Sequence, residues 1–170
     1  ASDLTAGVTE VHGNNYAFAA LKDDGSVATW GDDNYGGDSS AVASDLASGV
    51  SKIFSTNSAF AALKDDGSVV TWGMDGGDSS SVSSSLASGV RHIVGNPYAF
   101  SALKDDGSVI SWGSSGKGGT QVDTYPGGGG DVSSELASGV TKIVAADNAF
   151  AALKEDGTVV AWGEHLYGGS

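Results

Sequence analysis

A seven-residue string returns four times along this chain. Leu21-Lys22-Asp23-Asp24-Gly25-Ser26-Val27 recurs over 63–69, over 103–109, and once more as Leu153-Lys154-Glu155-Asp156-Gly157-Thr158-Val159. A Trp-Gly pair follows each copy, at Trp30, Trp72, Trp112 and Trp162, with intervals of 42, 40 and 50 residues. Self-similarity at such a period constrains the architecture more than any local propensity, because each unit has to bury its apolar faces against its neighbours. The long interval holds an insertion near 114–130 that includes Lys117-Gly118-Gly119 and Gly127–Gly130 and reads as an expanded loop. The units therefore run approximately over 1–37, 38–77, 78–119 and 131–170, within a single repeat domain.

Three strands can be read within one unit. Val50-Ser51-Lys52-Ile53-Phe54 is short and rich in β-branched residues; Ala59–Lys64 follows, then Ser68-Val69-Val70-Thr71-Trp72. Asp65-Asp66-Gly67 between the last two is hairpin chemistry, with Asp favouring the turn and Gly accepting the positive φ of a bulged three-residue loop. Between units, Asp78 is placed to cap a short helical turn, Val82 and Leu86 fall four apart, and Gly89 is placed to end it. The second strand has apolar side chains on both faces, Phe60 and Ala62 on one and Ala61 and Leu63 on the other. A sheet with one wet face would alternate apolar with polar; this one suits a blade held between two neighbours. Each Trp buries about 150–250 Å², roughly 4–6 kcal/mol at ~25 cal/mol per Å² as an upper bound, so all four are assigned to the core.

The fold expected is all-β: a small β-propeller of four repeats with about three strands each. It closes either as four blades in one chain or as a head-to-tail dimer of eight. The start, Ala1–Val8, matches Ala43–Val50, and Tyr167-Gly168-Gly169 matches Tyr35-Gly36-Gly37, so the two ends laid together nearly rebuild a connection between units. A ring within one chain is the first expectation, since closure by a second copy requires an extra interface.

The string Leu-Ala-Ser-Gly-Val, Lys-Ile, and Ala-Phe-Ala-Ala-Leu-Lys-Asp-Asp-Gly-Ser-Val-Val-Thr-Trp-Gly resembles the repeat of the regulator-of-chromosome-condensation superfamily. The matching residues are Gly49-Val50, Ala62-Leu63-Lys64, Asp66-Gly67 and Val70-Thr71-Trp72-Gly73, with equivalents in every unit. The likeness is greatest to a short-repeat bacterial branch that includes the propeller inhibitor of β-lactamases, and to repeat arrays of marine microbial surface proteins. It implies a propeller and says little about function, since one scaffold hosts many partners. Better-known members close with seven blades and carry Gly-Gln after the Trp-Gly segment. Here four units are present, and Gly36-Gly37, Gly76-Gly77 and Gly168-Gly169 take that place. Neither nucleotide exchange on a GTPase nor β-lactamase inhibition is therefore carried over.

Charge narrows the partners. Eight Lys and Arg against 21 Asp and Glu give a net charge of −13, which disfavours nucleic acid and anionic bilayers. There is no cysteine, so thiol chemistry and disulfides are excluded. No apolar run approaches the ~18 residues of a membrane span, and Ala1-Ser2-Asp3-Leu4 has no signal-peptide character. Membrane insertion is not expected; an extracellular or cell-surface setting is.

No catalytic constellation stands out, and no enzyme is expected. His12, His92 and His165 lack the spacing of a metal or triad site. The paired Asp23-Asp24 and its copies recur four times in a turn, whereas a catalytic pair is normally single. Calcium is the one cation considered, through Asp32, Asp38, Asp75 and Asp78. Yet Asp32-x-Asn34-x-Gly36 is not followed by the Glu of an EF-hand loop, so no cofactor is assigned.

Comparing the units with one another locates variation in two places. One is the loop between the first and second strands; the other is the segment after Trp-Gly. Recognition residues usually sit on loops carried by a rigid frame. The candidate binding residues are therefore Asn15, Tyr16, Asn34, Tyr35, Asn57, Met74, Tyr98, Tyr125, His165 and Tyr167. The expected role is a non-catalytic module binding a protein or glycan through one rim. The alternative is a structural repeat of a larger surface protein, a spacer or a self-assembling unit whose partner is its own copy.

Overall fold

In a computed structural model describing residues 4–121 and 130–169, each repeat forms one three-stranded antiparallel sheet, a blade. Blade 1 comprises β1 (Val8–Gly13), β2 (Ala17–Lys22) and β3 (Val27–Gly31). Blade 2 comprises β4 (Val50–Ser55), β5 (Ala59–Lys64) and β6 (Val69–Gly73). Blade 3 holds β7 (Val90–Gly95), β8 (Ala99–Lys104) and β9 (Val109–Gly113), and blade 4 holds β10 (Val140–Ala146), β11 (Ala149–Lys154) and β12 (Val159–Gly163). The middle strand is always the second in sequence. This is the expected small-propeller architecture, with three strands per repeat.

The repeated string makes the tight turn. In blade 2 the Gly67 N–H donates to Lys64 O (3.0 Å) and the Lys64 N–H to Ser68 O (2.9 Å), with Gly67 at φ +77°. The Asp66 carboxylate accepts from the Ser68 N–H (2.9 Å) and hydroxyl (2.6 Å). The same pair of bonds recurs at Asp24, Asp106 and Asp156. These bonds, the hydroxyl's first, hold all four carboxyls below the ordinary aspartate range. The doubled Asp is thus turn chemistry. In the connection, Asp78 takes the Ser80 N–H (2.9 Å) at the start of a 3-10 turn, Ser80–Val82, and the Leu86 N–H donates to Val82 O (3.1 Å).

Register then sets the core. Phe60 opposes Trp72 across the β5–β6 pair, and the equivalent pair in each blade stacks with ring centroids 5.3–5.6 Å apart. One face of every middle strand looks back and the other forward, as the alternation predicts. Phe60 and Ala62 join Leu46, Val50, Ile53 and Trp72 against Ala17, Ala19 and Leu21 of blade 1. Ala61 and Leu63 pack instead against Leu86, Val90, Ile93, Phe100 and Trp112 of blade 3. A third cluster of largely equivalent residues joins blades 3 and 4.

Each junction also carries three hydrogen bonds at equivalent positions. The tryptophan N–H reaches back to a glycine carbonyl: Trp72 to Gly36 (3.1 Å), Trp112 to Gly76 (2.9 Å), Trp162 to Gly118 (3.2 Å). The Val27, Val69 and Val109 N–H groups donate to the carbonyls of Leu46, Leu86 and Leu136 (2.9–3.0 Å). The Val50, Val90 and Val140 N–H groups donate to the turn carbonyls of Gly25, Gly67 and Gly107 (2.9–3.0 Å).

Two expectations need correction. Among the described residues no hydrophobic cluster joins blade 4 to blade 1. The four blades form an open arc, so the ring closed within one chain is not formed. Trp30 is consequently only half-buried, while Trp72, Trp112 and Trp162 are core. The physical reason is the same for both: among the described residues nothing packs on the backward face of blade 1, where Val8, Val11 and Phe18 are exposed.

Candidate functional site

The two variable segments of each blade meet. The residue two past Trp donates its backbone N–H to the loop between the first two strands. The bonds are Asp32 to Tyr16 O (3.1 Å), Met74 to Ser58 O (2.9 Å), Ser114 to Tyr98 O (3.1 Å) and Glu164 to Asn148 O (2.8 Å). All four blades therefore present both segments along one rim of the arc.

Short polar side chains shape that rim. Asn14 Oδ1 accepts from the N–H groups of Tyr16 (2.8 Å) and Ala17 (2.7 Å), while its Nδ2 donates to Tyr35 O (2.7 Å). Asn96 repeats this with Tyr98, Ala99 and Lys117 O. Thr56 has no amide, and in blade 2 Ser58 Oγ reaches Met74 O (3.3 Å) instead. In blade 4 Ala146 leaves the position empty of polar groups, and the buried Asn148 Oδ1 has no partner. The tips are also joined across blades, Asn15 N–H to Asn57 O (3.2 Å) and Asn57 N–H to Pro97 O (3.0 Å). Proline has no N–H to continue the series.

The candidate side chains sit on this frame in small groups. Tyr16 stacks on Tyr35 with centroids 4.1 Å apart, and Asn15 and Asn34 are exposed beside them. Met74 is exposed and Asn57 half-buried on blade 2. The Lys117 ammonium lies 5.8 Å from the centroid of exposed Tyr98 and pairs with Glu164 of blade 4. That hydrogen bond to Glu164 is the main reason the Lys117 ammonium is held above its ordinary range. Lys117, Glu164, His165 and Leu166 line a cleft of about 550 Å³ between blades 3 and 4, with Tyr167 exposed at its edge. Tyr125 lies outside the described residues.

Lys117 and Glu164 were not among the candidates, because their pairing crosses a blade boundary that no single repeat shows. The inner strands were missed for a similar reason. The first strands of successive blades lie side by side, and they carry exposed Lys52, Arg91, His92 and Lys142. Among the described residues Lys52, Arg91 and Lys142 make no ion pair. The His92 imidazole is lowered by burial first, then by Lys52 and Arg91. In a chain of net charge −13 the first strands of blades 2 to 4 thus carry a basic row, while blade 1 has exposed Glu10 at the equivalent position.

The calcium candidates do not converge. Asp32, Asp38 and Asp78 each accept the backbone N–H two residues on (2.8–3.0 Å), and Asp75 adopts φ +48°. Among the described residues no group of three or more acidic or histidine side chains is assembled, and no helix is long and apolar enough to cross a membrane.

No protein-family model and no curated protein matches the sequence. Solved structures do match in fold. Yeast RCC1 (Prp20), in its structure with Kap60 bound, is 17% identical with a TM-score of 0.62, over 92% of this chain and 43% of that one. Human WBSCR16 is 20% identical with a TM-score of 0.59, over 98% and 50%. The ectodomain of the Arabidopsis thaliana receptor kinase ACR4 is 20% identical with a TM-score of 0.54, over 92% and 52%. The fold is that of an RCC1-like propeller. The chain spans about half the length of the structures it resembles.

Proposed function

We propose that this chain is a non-catalytic binding module of an extracellular or cell-surface protein, recognising a protein or glycan through the loop rim. One observation carries the reading: every blade ties its two variable segments together with the same backbone hydrogen bond. Different side chains are thereby displayed at fixed spacing on a nearly constant frame, the arrangement rigid scaffolds use for recognition. Tyr16, Tyr35, Tyr98 and Tyr167 offer apolar rings with polar tips, the chemistry of interface anchors. The yeast structures supply a parallel, one with Kap60 bound to RCC1 and one concerned with binding of Prp20p to Gsp1p and histones.

The test is a glycan array and a protein-display screen with the wild-type chain, followed by Tyr35→Ala and Tyr98→Ala. Loss of a central aromatic anchor weakens binding by about 30-fold or more, with the blades intact because the backbone bonds remain. Binding that ignores both substitutions would overturn the rim assignment. A second reading, a self-assembling structural unit, is supported by a separate observation, the two apolar faces left uncovered at the ends of the arc.

A further inference from the structure

The uncovered faces are the two halves of one known interface. Blade 1 exposes Val8, Val11 and Phe18, which stand where blades 2 to 4 have buried Val50, Ile53 and Phe60 and their equivalents. Phe18 is 45% exposed, against 0% for Phe60 and Phe100. Blade 4 exposes Val144, Leu153 and Val159, the counterparts of the residues by which blades 2 and 3 hold their successors. Val159 is 66% exposed where Val109 is 2%, and Leu153 43% where Leu63 is 5%.

The polar groups match as well. Among the described residues Trp30 Nε1 and the Val8 and Val159 N–H groups lack the junction partners that their equivalents have. The missing acceptors are the carbonyls at the positions of Gly168, Gly157 and Leu4, on the opposite ends of the arc. Shape agrees. A side chain at Gly36 or Gly118 would strike the next blade's phenylalanine ring at 2.6–2.7 Å, while the space at Gly168 is open. A Cβ at Gly25, Gly67 or Gly107 would lie 2.8–2.9 Å from the backbone nitrogen of Gly49, Gly89 or Gly139, while one at Gly157 would meet nothing.

We propose that two copies of this chain close head to tail, blade 4 of each seated on blade 1 of the other, into a single ring of eight blades. The proposal rests on the self-assembly reading and names its partner and register. The occupant is a second copy because the face it covers is complementary to this chain's own opposite end. Three apolar clusters and nine hydrogen bonds within the chain already show how such faces dock. The curvature is compatible: the arc follows RCC1 propellers over 92% of its length, and eight blades need slightly less turn per junction than seven. A ring of four would need twice the turn of a ring of eight. The exposed residues that would join, Val8, Val11, Phe18, Val144, Leu153 and Val159, are apolar while each copy carries −13, so added salt, by screening the repulsion between copies, favours the ring.

Sedimentation velocity of the chain across a wide concentration range tests this. The expected result is one species of twice the chain mass that never grows further and gives way to monomer on dilution. Tryptophan emission shifts to the red over the same range as Trp30 is uncovered. Val159→Asp on the blade 4 face and Val11→Glu on the blade 1 face each lower association at least ~100-fold, since each buries an unpaired charge. Both positions face solvent in the single arc, and far-UV circular dichroism verifies that the blades persist. A ladder of growing oligomers would overturn the ring while leaving self-assembly standing. A monomer at every concentration would overturn both, and a dimer sensitive to one face only would overturn the head-to-tail register. None of these outcomes touches the rim, whose test is ligand binding.

Discussion

Trp30 and Trp72 hold the same place in successive repeats and live in different surroundings. Trp72 is buried against blade 1 and donates its N–H to Gly36 O at 3.1 Å. Trp30 stacks on Phe18 at 5.3 Å just as Trp72 stacks on Phe60, yet its outer side is open. The stack belongs to the blade and the burial belongs to the junction. Interior and terminal blades of a repeat protein differ in this way because stability is shared between units and the interfaces joining them.

Paired substitutions at equivalent positions sharpen that contrast. Phe100→Ala empties a filled junction and costs about 3–5 kcal/mol by denaturant unfolding. Phe18→Ala in the dilute chain loses mainly its stacking partner, about 1 kcal/mol, and its cost rises with protein concentration if a second copy covers it. Equal costs at low concentration would break the comparison. Gly118→Ala comes next. It adds overpacking of about 1–3 kcal/mol to a left-handed backbone penalty of about 1–2 kcal/mol, because Phe150 lies 2.6 Å from the added carbon. Gly168→Ala should show the backbone penalty alone.

The rim offers a smaller contrast. Asn96→Ala strands two loop N–H groups and a carbonyl, costing about 1–3 kcal/mol. Ala146→Asn supplies blade 4 with the cap it lacks and raises its stability by about 0.5–1 kcal/mol; a destabilised variant would show that the blade 4 loop follows a different path. Smallest is a pH effect on the inner face. The His92 imidazole is held below its ordinary value in the fold, so the unfolded chain takes up a proton first as pH falls. Stability is therefore full above about 6.5 and declines below it. Denaturant midpoints from pH about 8 to about 5 should show this decline, and His92→Gln should reduce it.

Much of the fold was legible because one short string encodes a whole local structure. Asp66 and Gly67 specify the hairpin through a side-chain bond and a positive φ, and the Phe60–Leu63 alternation announces two buried faces before any neighbour is known. The paired Asp residues form turns, as their fourfold recurrence predicts. The candidate site was legible only as segments. Variation among the units singles out Tyr16, Tyr35, Tyr98, His165 and Tyr167, and the structure places each pair of segments together. It left out Lys117 and Glu164, and the basic row of Lys52, Arg91, His92 and Lys142, since both arise between repeats.

The sequence by itself determined the blade: its strands, its turn, its Phe–Trp stack and the chemistry of its two faces. Those are set by interactions a few residues to a few tens of residues apart, and every unit contains all of them. Only the tertiary structure decided that these four blades lie as an open arc, with Trp30 half-covered and Val159 in solvent. Burial at each junction depends on Phe60, Phe100 and Phe150 packing against the preceding blade, a property of packed pairs that no repeat carries alone.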